Sequence, residues 1–279
     1  MRMRLFLLFR KKKIFALLLA TLFLNACQQV VSIDLNKANP HLVIEGVVTD
    51  QSGPYTVRLS KTGNYFEPAL VFPPVSNAFI TVSDDFGQSD TLREVASGTY
   101  QSSTLRGLAG STYALDVVAE GRSYNAISSM PKKVLIDSLY ATVRSASRGE
   151  PGYDIYVAFK DPPEPGNYYR LNAISSAQIP ADSIDGRRYR MYTDKLTNGN
   201  EMMERIRAGS NVAAGDTITV ELLSVDKATY DYFSTLRDIL SSDQAATSLA
   251  PANPNTNISN GSLGYFSAYT IDSKSIILK

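Results

Sequence analysis

Cys27 is the single cysteine among 279 residues, and its thiol is the strongest nucleophile in the chain. It is the thiolate that attacks and accepts a covalent partner. A lone thiol cannot close an internal disulfide, so the fold must rest on its apolar core. The sole histidine, His41, opens an apolar run and reads as a solvent-facing strand residue. Any Ser-His-Asp arrangement would need it, yet no G-x-S-x-G elbow occurs. One histidine and one cysteine exclude the ordinary zinc ligand sets, and no metal is expected.

Carboxylates offer little more. Asp84-Asp85, before Phe86-Gly87, could give oxygens to Ca²⁺. That ion takes about six to eight oxygens, and adjacent Asp residues at a hairpin serve first as turn formers. Glu94, Glu120 and Glu164 show no spacing that pairs two carboxylates for glycoside hydrolysis. A Gly-rich phosphate loop is absent, and no cofactor is expected. Arg187-Arg188-Tyr189-Arg190-Met191-Tyr192 interleaves cations with aromatics. Arg187, Arg188, Tyr189, Arg190 and Tyr192 could form a partner or ligand face; the alternative is a strand with Arg outside and Tyr packed. Asp90-Thr91-Leu92, Asp137-Ser138-Leu139, Asp182-Ser183-Ile184 and Asp216-Thr217-Ile218 resemble a bacterial O-glycosylation pattern, and are equally natural turn-to-strand junctions.

The segment that delivers Cys27 explains the thiol. Arg2, Arg4 and Arg10 to Lys13 precede an apolar run, Ile14–Leu24, which stops at Asn25-Ala26-Cys27. Charge, then about 7–15 apolar residues, then a small residue is the plan of a secretory signal. The run is too short to span a bilayer, which takes about 20 residues. Leu24, Asn25, Ala26 and Cys27 resemble a bacterial lipobox, which implies diacylglycerol on the Cys27 thiol and cleavage ahead of it. Two or more acyl chains hold stably at about 0.8 kcal/mol per buried CH₂. The expected layout is a signal peptide at 1–26 and a tether at 27–40.

The six cations of 1–26 distort the overall balance. From Cys27 onward the chain carries 22 basic and 27 acidic residues, net −5. That mildly acidic body excludes nucleic acid as an expected partner, because phosphate binding needs clustered Lys and Arg. Sixteen Tyr against no Trp suits β-sheets, where a phenol buries its ring and keeps its hydroxyl wet.

Period-two alternation then organises the body. His41–Val48 and Pro54–Lys61 read as a hairpin. Phe79–Ser83, Gln88–Glu94, Gly98–Ser103, Ser111–Glu120 and Arg122–Ser128 continue it. About seven short strands predict an immunoglobulin-like or carboxypeptidase-regulatory-like β-sandwich over 41–130. Gly63–Ser76, with its three prolines, reads as a loop of possible binding use. Met130-Pro131 marks the expected boundary. Beyond it, residues 131–279 predict an antiparallel β-domain with strands at Val134–Ser145, Tyr153–Lys160, Asn167–Ser175, Arg187–Thr193, Thr217–Val225, Gly264–Thr270 and Ser273–Leu278. One helix is expected over 226–242, capped by Asp226, with Tyr232, Phe233, Leu236, Ile239 and Leu240 on one face. The fold class is mainly β, in two domains.

Several stretches in fixed order carry a family resemblance. They are LVIEGVVTDQSGPYTVRLSKT (42–62), PVSNAFITVSDDFG (74–87), GTYQSSTLRGLAGSTYALDV (98–117) and MPKKVLIDSLY (130–140). GDTITVELLSVDKATYDYF (215–233) and NISNGSLGYFSAY (257–269) complete the set. Together with the lipobox they are similar to the Bacteroidota lipoproteins of domain-of-unknown-function family 4249. The resemblance implies a partner rather than a reaction, since members tend to be encoded beside TonB-dependent receptors. The expected function is therefore a non-catalytic outer-membrane lipoprotein accessory to such a receptor, in substrate capture, docking or assembly. A free-standing glycan- or peptide-binding lipoprotein is the alternative, and a hydrolase on a β-scaffold a third. Gln28-Gln29-Val30-Val31 lacks the acids that surface-exported lipoproteins carry after the Cys, which favours the periplasmic face.

Overall fold

The computed structural model describes residues 40–63, 72–144, 152–176, 189–207, 212–242 and 253–279. The leader, the lipobox at Leu24–Cys27 and the tether up to residue 39 lie outside them. Eight strands build the first half: β1 (Leu42–Thr49), β2 (Thr56–Lys61), β3 (Phe79–Asp84), β4 (Ser89–Thr91), β5 (Arg93–Ala96), β6 (Thr99–Gln101), β7 (Thr112–Ala119) and β8 (Arg122–Ser129). Sheet β1-β2-β6-β5 faces sheet β4-β3-β7-β8. Alternation decides the faces: Leu42, Ile44 and Val48 point inward from β1, while Val43, Glu45 and Val47 point outward. Ile44, Leu59, Ile80, Tyr100, Tyr113 and Leu115 fill the core between the sheets. Each fully buried side chain of this size contributes about 1.5–3 kcal/mol.

The connection from β6 to β7 changes sheets, and its backbone is tied to side chains rather than to a ladder. Asp90 accepts the N–H groups of Ser103, Thr104 and Leu105 at 2.7, 2.6 and 2.9 Å. The Tyr55 and Tyr113 hydroxyls accept from Gly107 and Leu108, both at 2.7 Å. A tyrosine reaching back to nearby backbone recurs in Greek-key sandwiches. Gly107 has no alternative: a Cβ there would stand 1.9 Å from the Thr49 carbonyl oxygen.

The second half contains β9 (Ile136–Arg144), β10 (Gly152–Lys160), β11 (Tyr168–Ser175), β12 (Tyr189–Thr193), β13 (Glu201–Arg207), β14 (Thr217–Val225), α1 (Lys227–Ser242) and β15 (Leu263–Ile277). Sheet β13-β10-β9 packs on β12-β11-β14-β15 around Ile155, Val157, Phe159, Tyr169, Leu171, Val220 and Leu222. β15 does double duty. Its first part, Leu263–Tyr269, runs parallel to β1 at Val43–Thr49. Its second part, Thr270–Ile277, pairs antiparallel with β14 at Thr217–Ser224. One strand thus fuses two sheets into an eight-stranded one. Gly264 permits the join, because its φ is +95° and a Cβ would lie 2.0 Å from the Ile44 carbonyl oxygen.

This corrects the expected division into 41–130 and 131–279. The mainly β class holds, but Ile258, Phe266 and Ala268 from the C-terminal stretch complete the first core. The described residues form one compact unit with two sandwich cores. Three element boundaries also differ. The expected strand at 88–94 is β4 and β5. The two strands expected at 264–270 and 273–278 are the continuous β15. β13 was not expected at all, because Glu201-Met202-Met203-Glu204-Arg205-Ile206-Arg207 is built of helix formers, and over Glu201–Ile206 only Met202 turns fully inward.

α1 begins where expected. Asp226 Oδ1 accepts the Thr229 N–H at 2.8 Å, an N-cap bond. Its other oxygen accepts the Ser128 hydroxyl at 2.6 Å and the Ser129 N–H at 3.2 Å, tying the helix to β8. Tyr232 and Phe233 are buried against the outer face of the large sheet, whereas Leu240 at the far end of the stripe is exposed. Among the described residues no helix is long and apolar enough to cross a membrane.

Candidate binding surface

The residues singled out by type and spacing scatter over the structure. Arg187 and Arg188, like Cys27 and the lipobox residues Leu24, Asn25 and Ala26, lie outside the described residues. So do Asp182-Ser183-Ile184 and residues 64–71 of the proline-rich loop. Tyr189 and Tyr192 part company, since three positions along a strand place them on opposite faces. Tyr189 packs under α1, its hydroxyl donating to the Phe233 carbonyl at 3.0 Å. Tyr192 faces the second core, and burial, followed by nearby Glu204, raises its pKa. Arg190 is exposed on the same side as Tyr192. Strand parity thus puts Arg190 and Tyr192 on one face of β12 and Tyr189 on the other.

The acids are mostly structural. Asp84 Oδ1 accepts from the Phe86 and Gln88 N–H groups at 3.0 and 2.8 Å, which makes it a turn residue. Asp194 accepts from Gly166 and Asn167 at 2.7 and 2.9 Å. Asp161 accepts the Tyr169 hydroxyl and, at 2.8 Å, the Gly199 N–H. His41 is exposed, with Nδ1 3.3 Å from the Gly261 carbonyl oxygen. Asn257 and Asn260 serve the edge of β8: their amides donate to the Ile127 and Ser123 carbonyls. No group of three or more His, Cys, Asp or Glu converges on a metal-sized site among the described residues.

Glu45 is different. It sits on the outward face of β1, opposite Arg58 on β2 and Tyr265 on β15. α1 crosses the sheet beside it, held by the Thr229 hydroxyl donating to Ser267 Oγ at 2.8 Å. The helix lays Tyr232 against Tyr265, ring centroids 4.8 Å apart, and Phe233 against Tyr265 at 4.9 Å. Further along, the Arg170 guanidinium stacks 4.2 Å from the Phe233 ring and 4.4 Å from Tyr189. Its Nε donates to Asn172, which donates to Glu221. The Glu45 carboxylate makes no hydrogen bond or ion pair with any described residue. Burial raises its pKa, and the more distant Arg58 charge only partly opposes this. The same burial raises Tyr232 and Tyr265, with the Glu45 charge adding to it. A half-buried carboxylate therefore shares an aromatic floor with two tyrosines whose hydroxyls stay protonated.

A family model described as a domain of unknown function, DUF4249, matches residues 28–275. The chain belongs to the DUF4249 family. No curated protein matches it. Among solved structures, the DUF4249 chain is similar to a two fibronectin type-III domain segment from chicken tenascin. The identity is 15%, with 68% of this chain and 92% of that one covered, at a TM-score of 0.22. A cytokine receptor complex is similar at 10% identity, with 84% and 95% covered and a TM-score of 0.24.

The DUF4249 chain also has an open cavity of about 320 Å³, lined by Lys133, Leu135, Asp137, Lys160 and Asp161. Its groups are largely engaged: Lys133 pairs with Asp50 at 2.6 Å, and Asp161 is held as described. No motif marks Glu45, because its neighbours come from positions 58, 232 and 265, and no local spacing joins them. The available signal was one acid amid the apolar run LVIEGVV, a strand whose outward face would otherwise be valine.

Proposed function

We propose that this DUF4249 chain is a lipid-anchored, non-catalytic accessory of a TonB-dependent receptor at the outer membrane, acting in substrate capture, docking or assembly. The observation that carries the reading is the charged and apolar leader ending at Leu24-Asn25-Ala26-Cys27. The family resemblance supports the receptor partner. The saturation of Asp84, Asp90, Asp161, Asp194 and Asp226 by hydrogen-bond donors supports a binding rather than a catalytic body. The absence of acids directly after Cys27 supports the periplasmic face, and protease shaving of intact cells tests that placement.

Fractionation is the primary test. Native protein should partition with outer membranes and carry the mass of a processed, acylated chain, and Cys27→Ser should lose both. Affinity capture of the native lipoprotein should bring down a receptor β-barrel. An unchanged Cys27→Ser distribution would remove the anchor, and repeated capture without a barrel would remove the partner. The second reading, a free-standing ligand-binding lipoprotein, is favoured by the aromatic surface around Glu45. It predicts ligand binding without any receptor.

A further inference from the structure

From the unpaired Glu45 carboxylate and the rings beside it, we infer that the outer face of β1, β15 and α1 holds a binding site for a small organic ammonium ion. This site stands independently of the receptor reading. Glu45 is flanked along β1 by Val43 and Val47, across one edge by Tyr265 and across the other by Arg58. Tyr232 descends from α1 onto Tyr265 and is itself only 8% exposed. A carboxylate half-removed from water without a donor is costly, and opposite charge nearby relieves that cost. Arg58 supplies it only in part, since burial outweighs its charge. The two residues are in cross-strand register, and Arg58 is exposed.

Ring faces select what kind of cation can. Tyr presents a negative quadrupole to a cation and attracts ammonium groups, quaternary ones included. A divalent metal is a poor match, because one carboxylate and two phenols fall short of the oxygens that Ca²⁺ requires. The ligand is therefore an amine with an accessible ammonium head, either free in solution or as a lipid headgroup. The groups facing Glu45 are Arg58 from β2, Tyr265 from β15 and Tyr232 from α1. The two tyrosines stay neutral through the working range, so Glu45 alone sets the pH response of the site. Protonating it on acidification releases the ligand.

Calorimetric titration of the full Cys27→Ser chain with choline and with ethanolamine tests this, with sodium chloride at matched ionic strength as control. Saturable heat is expected for at least one amine, and Glu45→Gln should weaken it by about tenfold or more. Arg58→Ala should tighten it severalfold by removing the competing cation, a gain that a merely structural Glu45 could not produce. Flotation with phosphatidylethanolamine against phosphatidylglycerol vesicles separates the sources. Preference for the first assigns a headgroup, and no preference assigns a free amine. No saturable heat with either amine, or native affinity in Glu45→Gln, overturns the site. Should Glu45→Gln not fold, Arg58→Ala decides: tightening supports the site and unchanged or weaker binding overturns it.

Discussion

Asp90 and Glu45 are both carboxylates on strands of the first sandwich, and their surroundings push them in opposite directions. Asp90 has four donors: three backbone N–H groups and the Ser103 hydroxyl. Although burial works against its charge, these bonds hold its pKa down to about 2, against 3.8 for an ordinary Asp. A depressed carboxylate contributes stability above its unfolded pKa and loses it as pH falls toward the folded one. Asp90→Asn should thus cost about 2–4 kcal/mol at neutral pH. In denaturant titrations the gap between native and variant should narrow from near pH 3.8 down to about 2. Glu45 has the reverse sign. Its folded pKa is raised by burial, so the stability it confers is present below about 4.5 and decays as pH rises through the raised value. Glu45→Gln should accordingly melt higher than the native chain at pH 7 and together with it in acid. Neither role is marked by a motif. Asp90 belonged to a candidate glycosylation tripeptide, and Glu45 was hidden within an apolar run.

At the scale of elements, alternation and capping were legible and partnership was not. β1, β2, β7, β10 and β14 lie within two residues of where their period-two patterns put them, because each buries one face on a core. The start of α1 was equally readable from Asp226, whose second bond partners on β8 were not. That double role yields a prediction. Asp226→Ala removes an N-cap, worth about 1 kcal/mol alone, and also leaves the Ser128 hydroxyl and Ser129 N–H without that acceptor. The loss should exceed that of an ordinary cap. Asp226→Asn, which can still accept at the cap, should recover part of it, as read from urea midpoints. β13 shows where pattern reading fails. Its sheet supplies the ladder through register with β10, from Asp154 opposite Arg207 to Lys160 opposite Glu201. Pairing with a formed neighbour overrides a local preference for helix.

For the whole molecule, the shared β15 links the two cores mechanically. Further ties reinforce it: Asp50 accepts the Ile271 N–H at 3.0 Å while pairing with Lys133, and Asp272 accepts the Ile136 N–H at 2.7 Å. Two sandwiches joined only by a linker would melt separately. Two that share a strand should unfold in one transition, with calorimetric and van't Hoff enthalpies in agreement. Two resolved transitions would contradict the coupling. The expected split at Met130-Pro131 failed for this reason. Pro-rich composition marks a break in regular structure, but it cannot show that a later segment returns to finish the earlier core.

That return has a consequence for how the protein is made. Val43 finds its neighbour Leu263 220 positions further along the chain. Until then one flank of β1 has open backbone donors and acceptors, and the place of Phe266 between the first two sheets stays vacant. Pairings this distant in sequence slow folding. A nascent chain emerging amino end first cannot complete its first half early, so a holding chaperone that shields that flank during synthesis should raise the yield of native protein.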